Sequence, residues 1–377
     1  AFEELFPTIR LEWRTTADWD TYPARVAALM ASGQAGDLLE APFGPLLTDW
    51  FERGMIRPLD DVLAAEHYDT TGVFAGALAA CTRSTSLAAL PLVCHGGDCL
   101  LVYNRDLLNA VGADTPMPDW IVDHVTRAGA AVTRGLGSEI PPAFGYGEEH
   151  RLPGAYPAMR AFGAELLDAE GRASAIDDAA GIAYLRWLQA LVRGARAAPH
   201  PHEIEGGLAT MFADGRLAMV RADLWSYLAH LRRLGAERLG GILFPPTAVG
   251  GARGAVLRGV AYCISARSAH VAEAFQWIKY LSGREMGVQM LLRGYAEPGC
   301  RSASWNDPRV LELCPTCARV AEVTETAAPE RVPWNLRLAD VAAIWDEEAA
   351  RLVRGDVSPE ECADAVTTRI DAALALE

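Results

Sequence analysis

Short apolar segments alternate with stretches of helical periodicity from one end of this chain to the other, and that alternation restricts it to an α/β fold. Tyr22, Val26, Leu29 and Met30 follow helical spacing, and Gly33 with Gly36 ends the stretch. Residues 37–40 then read as a short buried strand. Trp50, Phe51 and Met55 suggest a second helix, stopped near Pro58. Residues 90–93 and 100–103 read as strands bracketing the glycine-rich turn Cys94-His95-Gly96-Gly97-Asp98. Asp119 is placed to cap a helix whose stripe is Ile121, Val125, Ala128 and Val132. Asp177 and Asp178 precede another, with Tyr184, Trp187, Leu188 and Leu191 on one face. Residues 241–246 and 259–264 read as strands, the second running into the helix of Val271, Ala274, Phe275, Ile278 and Leu281. The last two helices carry Val341, Ile344, Trp345 and Leu352, then Val366, Ile370, Ala373 and Leu374. The pattern predicts largely parallel sheets. Neither a repeat nor a long linker interrupts it, so two interleaved lobes are expected, with several crossings between them.

At 377 residues the chain is too long for one simple core and fits two lobes. It is 51% hydrophobic and 22% charged, the composition of a folded rather than a disordered chain. A formal net charge of -15 argues against a nucleic-acid partner, because phosphate binding needs a basic face. No apolar run reaches the ~18–20 residues of a membrane span. The opening Ala1-Phe2-Glu3-Glu4-Leu5-Phe6-Pro7 has no export-signal pattern, so any such signal is expected to have been removed. Cys314-Pro-Thr-Cys317 has the spacing of a redox or zinc motif, but no second Cys pair or close His pair completes a zinc set. In an exported chain Cys94/Cys99 and Cys314/Cys317 become the local disulfide candidates. His200-Pro201-His202-Glu203 reads as a metal ligand set or, more simply, as a surface loop. Neither a metal nor a cofactor is expected.

Seven fragments in one order carry a resemblance over essentially the whole chain. Residues 2–11 look like the end of a first helix leading into a second strand. Gly36-Asp37-Leu38-Leu39 with Arg57-Pro58-Leu59-Asp60-Asp61 comes next, then Ala89-Leu90-Pro91 through Tyr103-Asn104-Arg105-Asp106. Pro118-Asp119-Trp120, Phe212-Ala213-Asp214-Gly215 through Trp225, Ala272-Glu273-Ala274-Phe275 through Leu281, and Gly355-Asp356-Val357-Ser358-Pro359 complete the series. Together they resemble the sugar-type extracellular solute-binding proteins, the maltose-binding-protein-like group. The resemblance implies a two-lobed type II binding fold, with 1–96 and 259–323 in one lobe and 97–258 and 324–377 in the other. It also implies hinge closure about crossings near His95–Asp98, Leu257–Gly259 and 324–333. A monomer is expected, periplasmic or extracellular, with lipid anchoring left open, handing a carbohydrate to the membrane subunits of an ABC importer. Two departures stand out. Nothing in residues 1–11 resembles the family's first strand, so a truncated N-terminus is expected, and Asp223 stands where relatives usually have glycine before the tryptophan.

A sugar offers apolar C–H faces and a rim of hydroxyls, so its receptor needs aromatic plates and fixed polar groups, carboxylates and arginines above all. The resemblance points to Glu40 and Phe43 after the early strand, and to His95, Gly96 and Asp98 at the first crossing. Tyr156 and Arg160 precede the Gly163 turn, and Asp223 and Trp225 follow the strand at Met219. Gly259, Tyr295, Glu297, Arg301 and Trp334 come from later crossings. Each has a plainer alternative: Trp225 and Trp334 as packing, Asp223 paired with an arginine, Glu40 as a cap, His95 merely exposed. Trp13, Trp19, Trp50, Trp120, Trp187, Trp277 and Trp345 read as structural. Catalysis is not expected, since no nucleophile elbow, phosphate loop, dinucleotide fingerprint or metalloprotease motif is present. Two rivals remain: a carbohydrate hydrolase using Glu40 and Asp223 as acid and base, and a receptor for a polyol phosphate or other non-sugar solute.

Overall fold

The computed structural model describes residues 2–14, 21–295 and 297–376, so Trp19 lies outside the described residues. The chain divides into two compact units, Ala1–His95 with Leu257–Pro329, and Gly96–Val256 with Glu330–Glu377. Residues 324–329, expected with the second lobe, belong to the first unit, where the Leu257 N–H donates to the Ala328 carbonyl at 2.8 Å.

The described strands, in chain order, are β1 (Leu38–Pro42), β2 (Thr82–Arg83), β3 (Ser86–Leu87), β4 (Leu90–His95), β5 (Leu100–Asn104), β6 (Phe144–Gly147), β7 (Leu217–Ala222), β8 (Leu239–Leu243) and β9 (Arg258–Ile264). In the first unit the main sheet has the order β1-β9-β4, with both pairings antiparallel. In the second unit the order is β6-β7-β5-β8, and only β6 with β7 is parallel. The expectation of largely parallel sheets is therefore corrected. The directions supply the reason. β1 and β4 run one way with β9 reversed between them, and β6, β7 and β8 run one way with β5 reversed between two of them. The reversed strands are the two that begin just after the chain has passed from one unit into the other. No crossover helix turns them round first, so they enter the sheet from the opposite end.

In the first unit, the helices Tyr22–Ala31, Pro45–Glu52 and Val271–Leu281 bury Val26, Met30, Trp50, Phe275 and Ile278 against Leu39, Ala41, Ala261 and Cys263 of the sheet. The second of these helices stops at Glu52, short of Met55, whose N–H closes a turn onto the Trp50 carbonyl at 2.9 Å. Phe2 packs edge-on against Trp277 at 4.8 Å, and Trp13, although largely exposed, lies 5.5 Å from the same ring. In the second unit, Val125 and Val132 of Val122–Leu136, Tyr184 and Leu188 of Ala179–Gln189, and Trp345 and Leu352 of Leu338–Arg354 share one core with Met219 and Tyr146. Asp178 caps its helix as expected, accepting from the Gly181 N–H at 2.7 Å. Asp119 does not cap. That helix begins at Val122, and the ring of His124 accepts the Ile121 N–H at 3.1 Å.

All eight cysteines are buried free thiols, which corrects both disulfide expectations. Cys94 lies next to the end of β4 in one unit, and Cys99 precedes β5 in the other. Cys317 donates a hydrogen bond to Cys314, which holds the Cys314 thiol down to about 7 and raises its own.

Candidate functional site

In the first unit Glu40 sits on β1 opposite Tyr262 of β9, and the Tyr262 hydroxyl reaches its carboxylate at 3.5 Å. Burial raises the Glu40 pKa, and the Tyr262 hydrogen bond pulls it back. The Phe43 N–H donates to the Gly259 carbonyl at 2.9 Å. A β-carbon on Gly259 would lie 2.3 Å from the Val93 carbonyl and 2.6 Å from the Phe43 ring, so only glycine fits between them. His95, the last residue of β4, and Glu297 are both buried, with Nε2 and Oε1 3.8 Å apart. Arg301 is turned inward. Its Nε donates to the Ser282 carbonyl at 2.9 Å, and its terminal nitrogens reach the Thr71 and Asp69 carbonyls and the Tyr68 hydroxyl at 2.8–2.9 Å. It clamps the loop before Val73, with four of its five N–H groups engaged. Tyr295 is 73% exposed.

In the second unit Gly96 is buried at the start of the segment leading to β5, and Gly97 beside it takes a φ of 66°. The Asp98 carbonyl accepts from Arg221 Nε at 3.2 Å. Tyr156 opens the helix Tyr156–Ala161 and is buried in the core. Arg160 forms an ion pair with Glu165 at 2.9 Å and donates to the Ala255 carbonyl at 3.2 Å, so it braces this unit internally. Asp223 is the N-cap of Leu224–Leu234, accepting from the Ser226 N–H at 2.7 Å. Trp225 follows in the first turn, 39% exposed, with the Arg232 guanidinium 5.6 Å from its ring. Trp334 donates its indole N–H to the Leu374 carbonyl at 3.0 Å and stacks under Arg172 at 4.8 Å. Its polar edge therefore holds the C-terminal helix Pro359–Leu374.

One polar cluster escapes the sequence reading altogether. Glu148, directly after β6, accepts a hydrogen bond from the Tyr146 hydroxyl. Burial pushes its carboxyl up to about 7, against the pull of the Arg221 charge. Its Oε1 has no partner, nor do the hydroxyl of the buried Tyr184 and both terminal nitrogens of Arg221. Arg221 lies on β7 with its guanidinium 3.7 Å from the centre of the Phe244 ring. A narrow crevice lined by Glu148, His150, Leu188, Pro201 and Val353, among others, adjoins the cluster. The signals that could find these residues are small: an acid pair closing an apolar strand, and one arginine inside the apolar run 217–222. Elsewhere, His200 and His202 stack at 5.4 Å while Glu203 is engaged by Arg196, and among the described residues no group of three or more His, Cys, Asp or Glu is placed to hold a metal ion. No described helix is long and apolar enough to cross a membrane.

Residues 1–288 match the family model described as bacterial extracellular solute-binding protein. No curated protein sequence matches the chain. Similar solved structures include the GacH receptor of Streptomyces glaucescens, with a TM-score of 0.80 at 21% identity, covering 99% of this chain and 92% of that one. The sugar-binding protein MalE of Xanthomonas citri superposes with a TM-score of 0.82 at 18% identity, and UgpB of Mycobacterium tuberculosis with 0.81 at 17%, each over 99% of this chain and 92% of the other. At such identities the likeness establishes the fold alone, and the α/β two-lobed fold these proteins share is the fold of this chain.

Proposed function

We propose, from the premise that this chain belongs to the bacterial extracellular solute-binding protein family, that it is the substrate-binding component of an ABC importer and captures a sugar or related carbohydrate. The observation that carries this reading is the family match over residues 1–288, which draws on both compact units. The carbohydrate part is supported by the fold neighbours: GacH was solved with acarbose, and MalE is a sugar-binding protein. In this chain Glu40, Phe43, His95, Gly96, Asp98, Trp225, Gly259 and Glu297 remain the proposed ligand residues, while Arg160, Arg301 and Trp334 are set aside because their polar groups brace their own units. The ligand is released unchanged to the membrane subunits. The hydrolase alternative loses ground with Asp223, one of whose carboxylate oxygens caps a helix.

A thermal-shift panel of maltose, acarbose, D-tagatose and glycerophosphocholine tests this. A carbohydrate present at ~100 times its Kd is expected to add about 2.7 kcal/mol to stability. Stabilisation by glycerophosphocholine alone, the ligand found with UgpB, would replace the carbohydrate by a phosphodiester solute. Products appearing on incubation with maltose would sink the transport reading.

A further inference from the structure

The unmatched polar atoms of the second unit point to a residue that reads the ligand, an inference that rests on the carbohydrate-binding function proposed above. We propose that Arg221 is a specificity residue of this receptor, its two terminal nitrogens gripping a pair of adjacent oxygen atoms on the bound carbohydrate. The side chain is held from two sides, with its Nε donating to the Asp98 carbonyl at 3.2 Å and its guanidinium stacked on Phe244 at 3.7 Å. Both terminal nitrogens are buried and have no partner. A guanidinium fixed in this way is an expensive thing to bury, since each unused donor forfeits its hydrogen bonds to water. Glu148 is close enough to feel the charge yet forms no ion pair with it, and Glu148 Oε1 and the Tyr184 hydroxyl are unmatched as well. The crevice beside Glu148 has room for about one water molecule, and Arg221 is not among the residues that line it.

Position supports the same conclusion. Arg221 pairs with Leu101 across β7 and β5, one residue into β5, and its Nε partner Asp98 lies in the segment where the chain enters this unit. It therefore stands at the end of the sheet that carries Asp98, Glu148 and the Asp223–Trp225 turn. The planar fork of arginine matches two adjacent oxygen acceptors, which lysine cannot reproduce. Two carbohydrate groups have that chemistry: the neighbouring hydroxyls of a neutral sugar and the carboxylate of a sugar acid.

The test is calorimetric titration of wild type, Arg221→Met and Arg221→Lys with maltose, D-tagatose and D-glucuronate. Whichever probe binds wild type is expected to lose ~30-fold or more in affinity in Arg221→Met and at least ~10-fold in Arg221→Lys, the scale of lost charge-assisted hydrogen bonds. Loss confined to the neutral sugars identifies a diol as the partner, and loss confined to D-glucuronate a carboxylate. The unliganded melting temperature of Arg221→Met should stay level or rise, because an unpaired buried charge has been removed. Affinity within threefold of wild type in the Met variant, with a lowered unliganded melting temperature, would overturn the proposal and leave Arg221 a structural residue. Wild type that binds none of the three overturns the carbohydrate reading itself, and this proposal with it. A crystal structure of wild type with its bound probe decides the matter without any variant. Ligand oxygens within hydrogen-bond distance of both terminal nitrogens support the proposal, and water alone at those atoms refutes it.

Discussion

Glu148 shows how one buried acid ties this fold to pH. Its carboxyl titrates near 7 in the folded protein and near 4.5 when exposed, because burial disfavours the charge more than Arg221 restores it. The folded state therefore holds a proton that the unfolded state has lost between those two values. The stability this proton contributes is fully present below about 4.5 and is lost as pH rises through about 7. Glu148→Gln keeps the shape and can still accept from the Tyr146 hydroxyl, while carrying no charge to desolvate. It is expected to stabilise the protein at pH 8 by up to about 3 kcal/mol and by much less at pH 5. Urea unfolding at the two pH values measures this, and an equal effect at both would show that Glu148 is not titrating as described.

Among the elements, the helix Leu224–Leu234 is the informative one. Sequence comparison marks Asp223 as an acid where relatives usually have glycine, which reads as a change in ligand preference. The structure supplies a plainer cause, because aspartate and glycine both serve as N-caps and Asp223 Oδ1 accepts the Ser226 N–H. Asp223→Ala should cost about 1 kcal/mol, and Asp223→Asn or Asp223→Ser should recover most of it. Equal losses in all three variants, read from denaturant midpoints, would mean that the carboxylate does something a cap does not. The arginines follow the same rule. Arg160 and Arg301 read as ligand groups, but Arg160 is engaged by nearby Glu165 and the distant Ala255 carbonyl, and Arg301 by the Thr71 and Asp69 carbonyls more than two hundred residues away. Arg221, inside an apolar strand, looked like nothing in particular.

At the scale of the whole molecule, each unit has its own core and is assembled from two stretches of chain, joined by crossings at 95/96, 256/257 and 329/330. Trp50 anchors one core and Trp345 the other, both essentially unexposed. Trp50→Ala and Trp345→Ala are each expected to cost about 3–5 kcal/mol through the cavity left behind. Because unfolding either unit frees the ends of a segment belonging to the other, both variants should lower a single calorimetric transition. Two separated transitions, only one of them moving in each variant, would show that the units melt independently.

Sequence alone determined many of the helices and strands, their apolar faces and the family, because periodicity and capping are written within a few neighbouring residues. It could be read at Tyr22–Ala31, at the Asp178 cap and at β9 before any coordinate was known. Tertiary structure decided what neighbours in sequence cannot carry: which strand is reversed in each sheet, that eight cysteines remain thiols, and which polar side chains are already partnered. Direction depends on the end from which a strand enters its sheet, and a long side chain finds its partner across ninety or two hundred residues as readily as across five. For that reason the ordered motifs named the family, while only packing separated Arg301, whose terminal nitrogens both have partners, from Arg221, whose fork is still open.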